Sequence, residues 1–266
     1  MTGTGTGNLP DHPEFKLLPA EDSATYATTK PAEYISSVSS TSSSAIFFFS
    51  DSALAKLKTT ATGENEGDWI STNDALCALI WNRVTSARQE IGITDPNPPY
   101  TMFNMVINGR SRLPPPIPSD YMGNCVFISK AFLALSPSSS PPSLSSTAST
   151  LRESILEVDS AAMQDKILAV SKVDDIGRLA PGGYNSHGRH LGCTSWAGQE
   201  YYSLDWGRML GEKCERVRWR KTISDGIFVI FPRLEGGLEV YLGLQKACLA
   251  VLRKDEMFNE FAEWRC

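Results

Sequence analysis

The sequence predicts an α/β fold, a mixed β-sheet flanked by helices. Three observations carry that expectation. Residues 71–88 repeat apolar side chains at helical spacing (Leu76, Leu79, Ile80, Val84), so one helix face is core. Short apolar runs recur at Ala45–Phe49, Tyr100–Ile107 and Leu191–Trp196, each bounded by polar or turn residues. Gly226–Phe231 and Leu238–Leu242 flank a Glu235-Gly-Gly turn, the pattern of a β-hairpin.

In chain order, residues 1–45 are dominated by Gly, Thr, Pro and Ser. Such a stretch buries too little apolar surface to offset its ordering entropy, and it is expected to be a flexible tail or connector. The domain proper is expected over 46–266. Asp51 or Ser52 caps a short helix to about Thr59. The helix over 71–88 opens with Ser71 and Asp74, which resemble a capping box, and its Trp81 is expected in the core. The strand at Tyr100–Ile107 leads through a stiff proline run, Leu113–Pro118, to a turn at Tyr121 that feeds a strand through Ile128. Ser136–Ser146 reads as an exposed loop, and a long helix follows to about Val170. Lys172–Arg189 reads as a Gly-rich loop. Leu244–Leu252 and Asp255–Trp264 read as closing helices.

Composition bounds the function. A net charge of −5 over 266 residues excludes the basic stripe of a nucleic-acid-binding surface. No run of about 18 apolar residues marks a membrane span, and the amino terminus lacks the pattern of a signal peptide. Cys77, Cys125, Cys193, Cys214, Cys248 and Cys266 include no CxxC and read as buried thiols of a cytoplasmic protein rather than a disulfide frame.

The stretch Tyr202–Gly211 concentrates the informative residues. Asp205 stands among Leu204, Trp206 and Gly207. If buried there, it needs a cationic partner or several hydrogen bonds. The alternative is a strand entering a tight turn that Asp205 caps. Arg110 and Arg112, two apart at a strand end, suit a carboxylate or a phosphate, or are plain surface charge. Thr194 and Ser195 supply hydroxyls, either bonded locally or free to donate to a ligand. His187 and His190, with Ser195 and Asp205, supply the residue types of a Ser-His-Asp triad, but Gly192–Gly198 is not the G-x-S-x-G elbow. His190 and Cys193 are two donors, too few for a metal site.

Five pieces in fixed order resemble the carboxy-terminal half of the BAHD-type CoA-dependent acyltransferases. They are Ser71-Thr-x-Asp-Ala-Leu-x-Ala-x-x-Trp81; Asn108-Gly-Arg-Ser-Arg-Leu113 with Tyr121-x-Gly-Asn124; Thr194-Ser-Trp196; Leu204-Asp-Trp-Gly207 with Leu210-Gly211; and the hairpin Asp225–Gln245. The plant pattern D-F-G-W-G is altered here to Asp-Trp-Gly-x-x-x-Gly, which looks more like fungal members such as trichothecene acetyltransferases.

The resemblance implies one chloramphenicol acetyltransferase-like domain and acyl transfer from acyl-CoA, a co-substrate, to an alcohol or amine acceptor of secondary metabolism. No bound cofactor is implied. It also implies that Asp205, Trp206 and Gly207 form a structural motif, with Asp205 in a buried ion pair with Arg110 or Arg112. Thr194 and Ser195 are implied as oxyanion or acceptor contacts, and Arg110, Arg112 and Asn124 as CoA contacts. The family's catalytic His-x-x-x-Asp is not found: no Asp stands four residues after His12, His187 or His190. The expectation is therefore a second half plus its connector (Asp11–Lys16), either truncated or completed by a separate amino-terminal half-domain, or else a truncated non-catalytic relative acting as a binding or interaction module.

Overall fold

A computed structural model of the chain describes residues 5–19, 41–63, 69–93, 99–135, 142–181 and 189–266. The first elements are β1 (Phe15–Leu17), β2 (Ser42–Ser50), α1 (Asp51–Thr62), α2 (Thr72–Glu90), β3 (Tyr100–Asn108) and β4 (Val126–Ala134). The middle holds α3 (Leu144–Glu157), α4 (Ser160–Ser171), β5 (Leu179–Pro181) and β6 (Leu191–Ser195). The end holds β7 (Ile227–Ile230), β8 (Gly237–Gln245), α5 (Lys246–Leu252), α6 (Glu256–Asn259) and β9 (Glu263–Trp264). The chain divides into two units, one of 39–105, 130–153 and 186–266, the other of 1–38, 106–129 and 154–185.

The larger unit is built on a mixed sheet in the order β4-β3-β6-β7-β8-β2-β9. β3, β6 and β7 run parallel, while β7, β8, β2 and β9 pair antiparallel in turn. The expected hairpin is β7–β8, and Gly236 at its turn has φ +82°, a conformation that costs glycine little.

Helix α2 is the centre of this unit's core. Every residue from Ala75 to Trp81 has no solvent exposure. The capping box forms as expected: Asp74 N–H donates to Ser71 Oγ (3.2 Å), and Ser71 N–H donates to Asp74 Oδ2 (2.7 Å). Asp74 is fully buried, and Arg152 Nε donates to the same Oδ2 at 2.8 Å. Trp81 packs on Phe103 of β3, ring centroids 5.2 Å apart, and Phe103 on Phe228 of β7 at 5.8 Å. The indole N–H of Trp81 donates to Thr101 Oγ1 at 3.1 Å. Cys77 of α2 lies 3.9 Å from Cys193 of β6, sulfur to sulfur.

Several expectations change. The long helix to Val170 is two helices, because Asp159 accepts the Ala162 N–H and starts α4 as an N-cap. The closing helices are shorter: β8 runs to Gln245 before α5 begins, and 255–264 holds only the single turn α6 and then β9. The Ser-rich end of the expected tail enters β2, where Ser42 pairs with Gln245.

In the smaller unit, residues 5–19 are also not a loose tail. β1 pairs antiparallel with β5, Phe15 opposite Pro181. The Gly7 N–H donates to Asp165 Oδ1 at 2.6 Å, His12 Nε2 lies 3.1 Å from Asp165 Oδ2, and Glu14 meets Lys166 at 2.9 Å. Polar partners on α4 compensate for the scarcity of apolar side chains that suggested disorder. The stretch 20–40 lies outside the described residues.

Trp81→Phe keeps most of the apolar surface and removes the indole donor from a buried hydroxyl. It should destabilise by about 1–3 kcal/mol in urea unfolding with an unchanged m-value. An unchanged midpoint contradicts this role for the indole.

Candidate functional site

Strand β6 places two hydroxyls at its C-terminal end. Thr194 and Ser195 pair with Val229 and Ile230 of β7, and Trp196 N–H continues the ladder to Ile230 O at 2.8 Å. Thr194 is half-buried and Ser195 exposed. Neither hydroxyl has a hydrogen-bond partner among the described residues, so local bonding does not consume them. The carboxyl ends of parallel strands are where open α/β sheets receive ligands.

An aromatic shelf begins at the next residue, Trp196, on the strand face of Thr194 and opposite that of Ser195. The Trp196 ring sits 5.7 Å from Trp219 and 6.3 Å from Phe231, and Phe231 stacks on Tyr241 at 6.0 Å. Arg218 forks onto Glu239, with bonds of 2.7 and 3.1 Å, and lies over the Phe231 ring. Sequence reasoning missed this shelf. Arg218 and Glu239 are brought together by tertiary folding, and no local spacing announces them.

The Asp205 motif corrects the expectation of a buried ion pair. Asp205 is exposed, and its Oδ1 accepts the Gly207 N–H at 2.7 Å, the capping alternative. A carboxylate in water has no desolvation cost to recover from a cation. No strand precedes it; the stretch is a run of turns, with Gly207 at φ +78° and Gly211 at φ +84°. Trp206 Nε1 donates to Tyr201 O at 3.2 Å, but the ring is 42 % exposed.

The two arginines and Asn124 lie in the smaller unit, each bonded to nearby backbone. Arg110 donates to the carbonyls of Gly123 (2.8 Å) and Tyr121 (3.1 Å). Arg112 donates to the carbonyls of Ile155 (2.8 Å) and Val158 (2.9 Å) at the end of α3, where a cation satisfies orphan acceptors and the helix dipole. Asn124 Oδ1 accepts the Val126 N–H at 3.1 Å. These groups are already engaged in shaping the backbone.

The histidines do not assemble a triad. His190 is buried, and its Nδ1 accepts the Met102 N–H at 3.1 Å. It precedes β6, whereas Ser195 is at the far end, about 16 Å along an extended strand. Burial, then the charges of Arg189 and Arg88, holds the His190 imidazole below its ordinary pKa. His187 lies outside the described residues. Among the described residues no group of three or more His, Cys, Asp or Glu is placed to hold a metal, and no helix is long and apolar enough to cross a membrane.

A family model described as "Transferase family" matches residues 7–259. The chain is 28 % identical over 223 residues to "Eremophilane O-acetyltransferase prx11" of Penicillium rubens, covering 84 % of this chain and 47 % of that protein. It is 27 % identical over 240 residues to "Trichothecene 8-O-acetyltransferase" of Fusarium sporotrichioides, covering 81 % and 48 %. The chain thus spans about half the length of the curated relatives it matches. Its fold is similar to that of F. graminearum TRI101 solved with coenzyme A and T-2 mycotoxin, with TM-score 0.71, 22 % identity, and 84 % and 50 % coverage. It is also similar to vinorine synthase, with TM-score 0.58, 18 % identity, and 80 % and 46 % coverage.

Asp205→Asn keeps the oxygen that accepts the Gly207 N–H, so its stability should stay within about 0.5 kcal/mol of the parent in thermal melts. Arg112→Ala strips two helix-end carbonyls and should cost about 1–3 kcal/mol. The reverse order contradicts both assignments. For His190, the unfolded state takes a proton near the ordinary histidine pKa, before the folded state does. Its contribution to stability is present above that pKa and is lost as pH falls below it towards the lowered folded value. Melting temperatures between pH 7 and pH 5 should fall more steeply for the parent than for His190→Asn; equal slopes contradict this.

Proposed function

The chain belongs to the transferase family, among its BAHD-type acyltransferases, and from that premise we propose that it works in acyl transfer from acetyl-CoA to an alcohol of specialised metabolism. The observation that carries this reading is that Thr194 and Ser195, at the open end of β6 and on opposite faces of it, have hydroxyls with no partner among the described residues. A base removes the acceptor's hydroxyl proton, and the oxygen attacks the thioester carbonyl carbon. The tetrahedral oxyanion then collapses, breaking the C–S bond, and CoA leaves as thiolate to recover the proton. Ser195 Oγ–H donates to the oxyanion, a hydrogen bond that weighs more in a site shielded from water, while Thr194 faces the other side of the strand.

The base in this reading is the imidazole of a His-x-x-x-Asp element, a pattern these 266 residues do not contain. His12 and His190 are buried and engaged. The acceptor class follows the relatives, whose names specify eremophilane and trichothecene acetylation: a hydroxylated terpenoid, and by extension in fungal secondary metabolism a mycotoxin precursor. A second reading, a non-catalytic interaction module, is favoured by the exposed Leu204, Trp206, Met209 and Leu210 on one loop.

The test supplies radiolabelled acetyl-CoA and a trichothecene or eremophilane alcohol to the chain, alone and mixed with the separately expressed amino-terminal half of the Penicillium rubens relative. Transfer is expected only on mixing, and Ser195→Ala should then lower the rate by about 10²–10³. No transfer under either condition overturns the enzymatic reading and favours the interaction module. A full rate with Ser195→Ala removes Ser195 from the chemistry.

A further inference from the structure

Helix α4, strands β1 and β5 and the segment from Leu113 to Ile128 enclose a cavity of about 730 Å³ within the smaller unit. Its wall is mostly aliphatic and aromatic, with Phe15, Ile117, Ile128, Val170, Ile176 and Leu179 around it. Sequence motifs gave no hint of it, because its lining comes from three separate stretches of chain. Volumes of 300–1,000 Å³ with apolar walls and few polar groups are those of small-molecule sites.

The charge pattern selects the ligand. Lys166 and Glu14 both reach the cavity, but they are paired with each other at 2.9 Å. Asn124 gives its oxygen to the Val126 N–H, and the Ser171 hydroxyl donates to Leu168 O at 2.9 Å. An ionised ligand would shed its hydration and meet only charges already neutralised, which is unfavourable. A neutral hydrocarbon-rich molecule loses nothing comparable and gains apolar burial. Val126, Ile128, Ile167 and Ile176 of this wall are each more than 40 % exposed, and clustered exposed apolar side chains of this kind mark binding surfaces.

We propose that this cavity is a binding site for a neutral, largely hydrocarbon small molecule, built by the smaller unit alone. It goes beyond acyl transfer and does not depend on it. Its test reads binding only, so the failure of either reading leaves the other standing.

The neutral fluorescent probe N-phenyl-1-naphthylamine should bind saturably at one site per chain. The anionic 8-anilinonaphthalene-1-sulfonate should bind at least tenfold more weakly and should not displace it. Val170→Trp, which fills the cavity, should lower the neutral probe's affinity at least tenfold with an unchanged melting temperature. If Val170→Trp fails to fold, Ile128→Lys, at a half-exposed strand position, serves the same purpose and should give the same loss. Unsaturable or absent binding, equal affinity for the two probes, or unchanged affinity in the folded variant overturns the proposal.

Discussion

A single buried carboxylate carries much of the larger unit. Asp74 has no exposure to solvent, yet it closes the capping box of α2 and receives Arg152. A charge in that position is tolerable only with such partners, since desolvation of a lone carboxylate costs far more than folding has to spare. Its Oδ2 therefore fixes where α2 begins and ties it to α3, the helix that carries Arg152. From Ala75 to Trp81 the helix is apolar around its whole circumference, and that stretch lies inside, not on, the unit.

What α2 touches follows from its start. Cys77 reaches Cys193 of β6, and Trp81 lies on Phe103 of β3 while its indole N–H is satisfied by Thr101. β3 and β6 are thereby held from one side, in parallel register with β7. The end of β6 carries Thr194 and Ser195 beyond that packed region, into the open beside Trp196 and Trp219. In the proposed reading, a strand supported by a buried helix gives these hydroxyls the positional rigidity that hydrogen bonding to a transition state requires. Loops would hold the same hydroxyls less firmly.

Much of this was legible beforehand. Ser71 and Asp74 ahead of Leu76, Leu79 and Ile80 announce a helix and its start, because capping and periodicity are local. The hairpin around Gly236 is equally local. The Thr194–Trp196 strand was found as well, though its free hydroxyls were one of two open outcomes. The Asp205 pair was misjudged because flanking Leu and Trp suggested burial, whereas burial is decided by what packs over a turn. Arg110 and Arg112 bond carbonyls at Gly123 and at the end of α3, partners that spacing does not encode. The break at Asp159 was missed because the apolar period runs through it. The apolar cavity was invisible for the related reason that three distant segments line it.

The most direct measurement of this account is a double-mutant cycle on Asp74 and Arg152, using Asp74→Asn and Arg152→Met. It is read by urea unfolding together with amide exchange at Cys193 and Thr194. Each single change should cost about 3–5 kcal/mol, as when one partner of a buried pair is removed. The double variant should recover part of that loss, and exchange in β6 should quicken in the singles. Additive costs, with β6 protection unchanged, would contradict the claim that this carboxylate seats the helix on which the site strand rests.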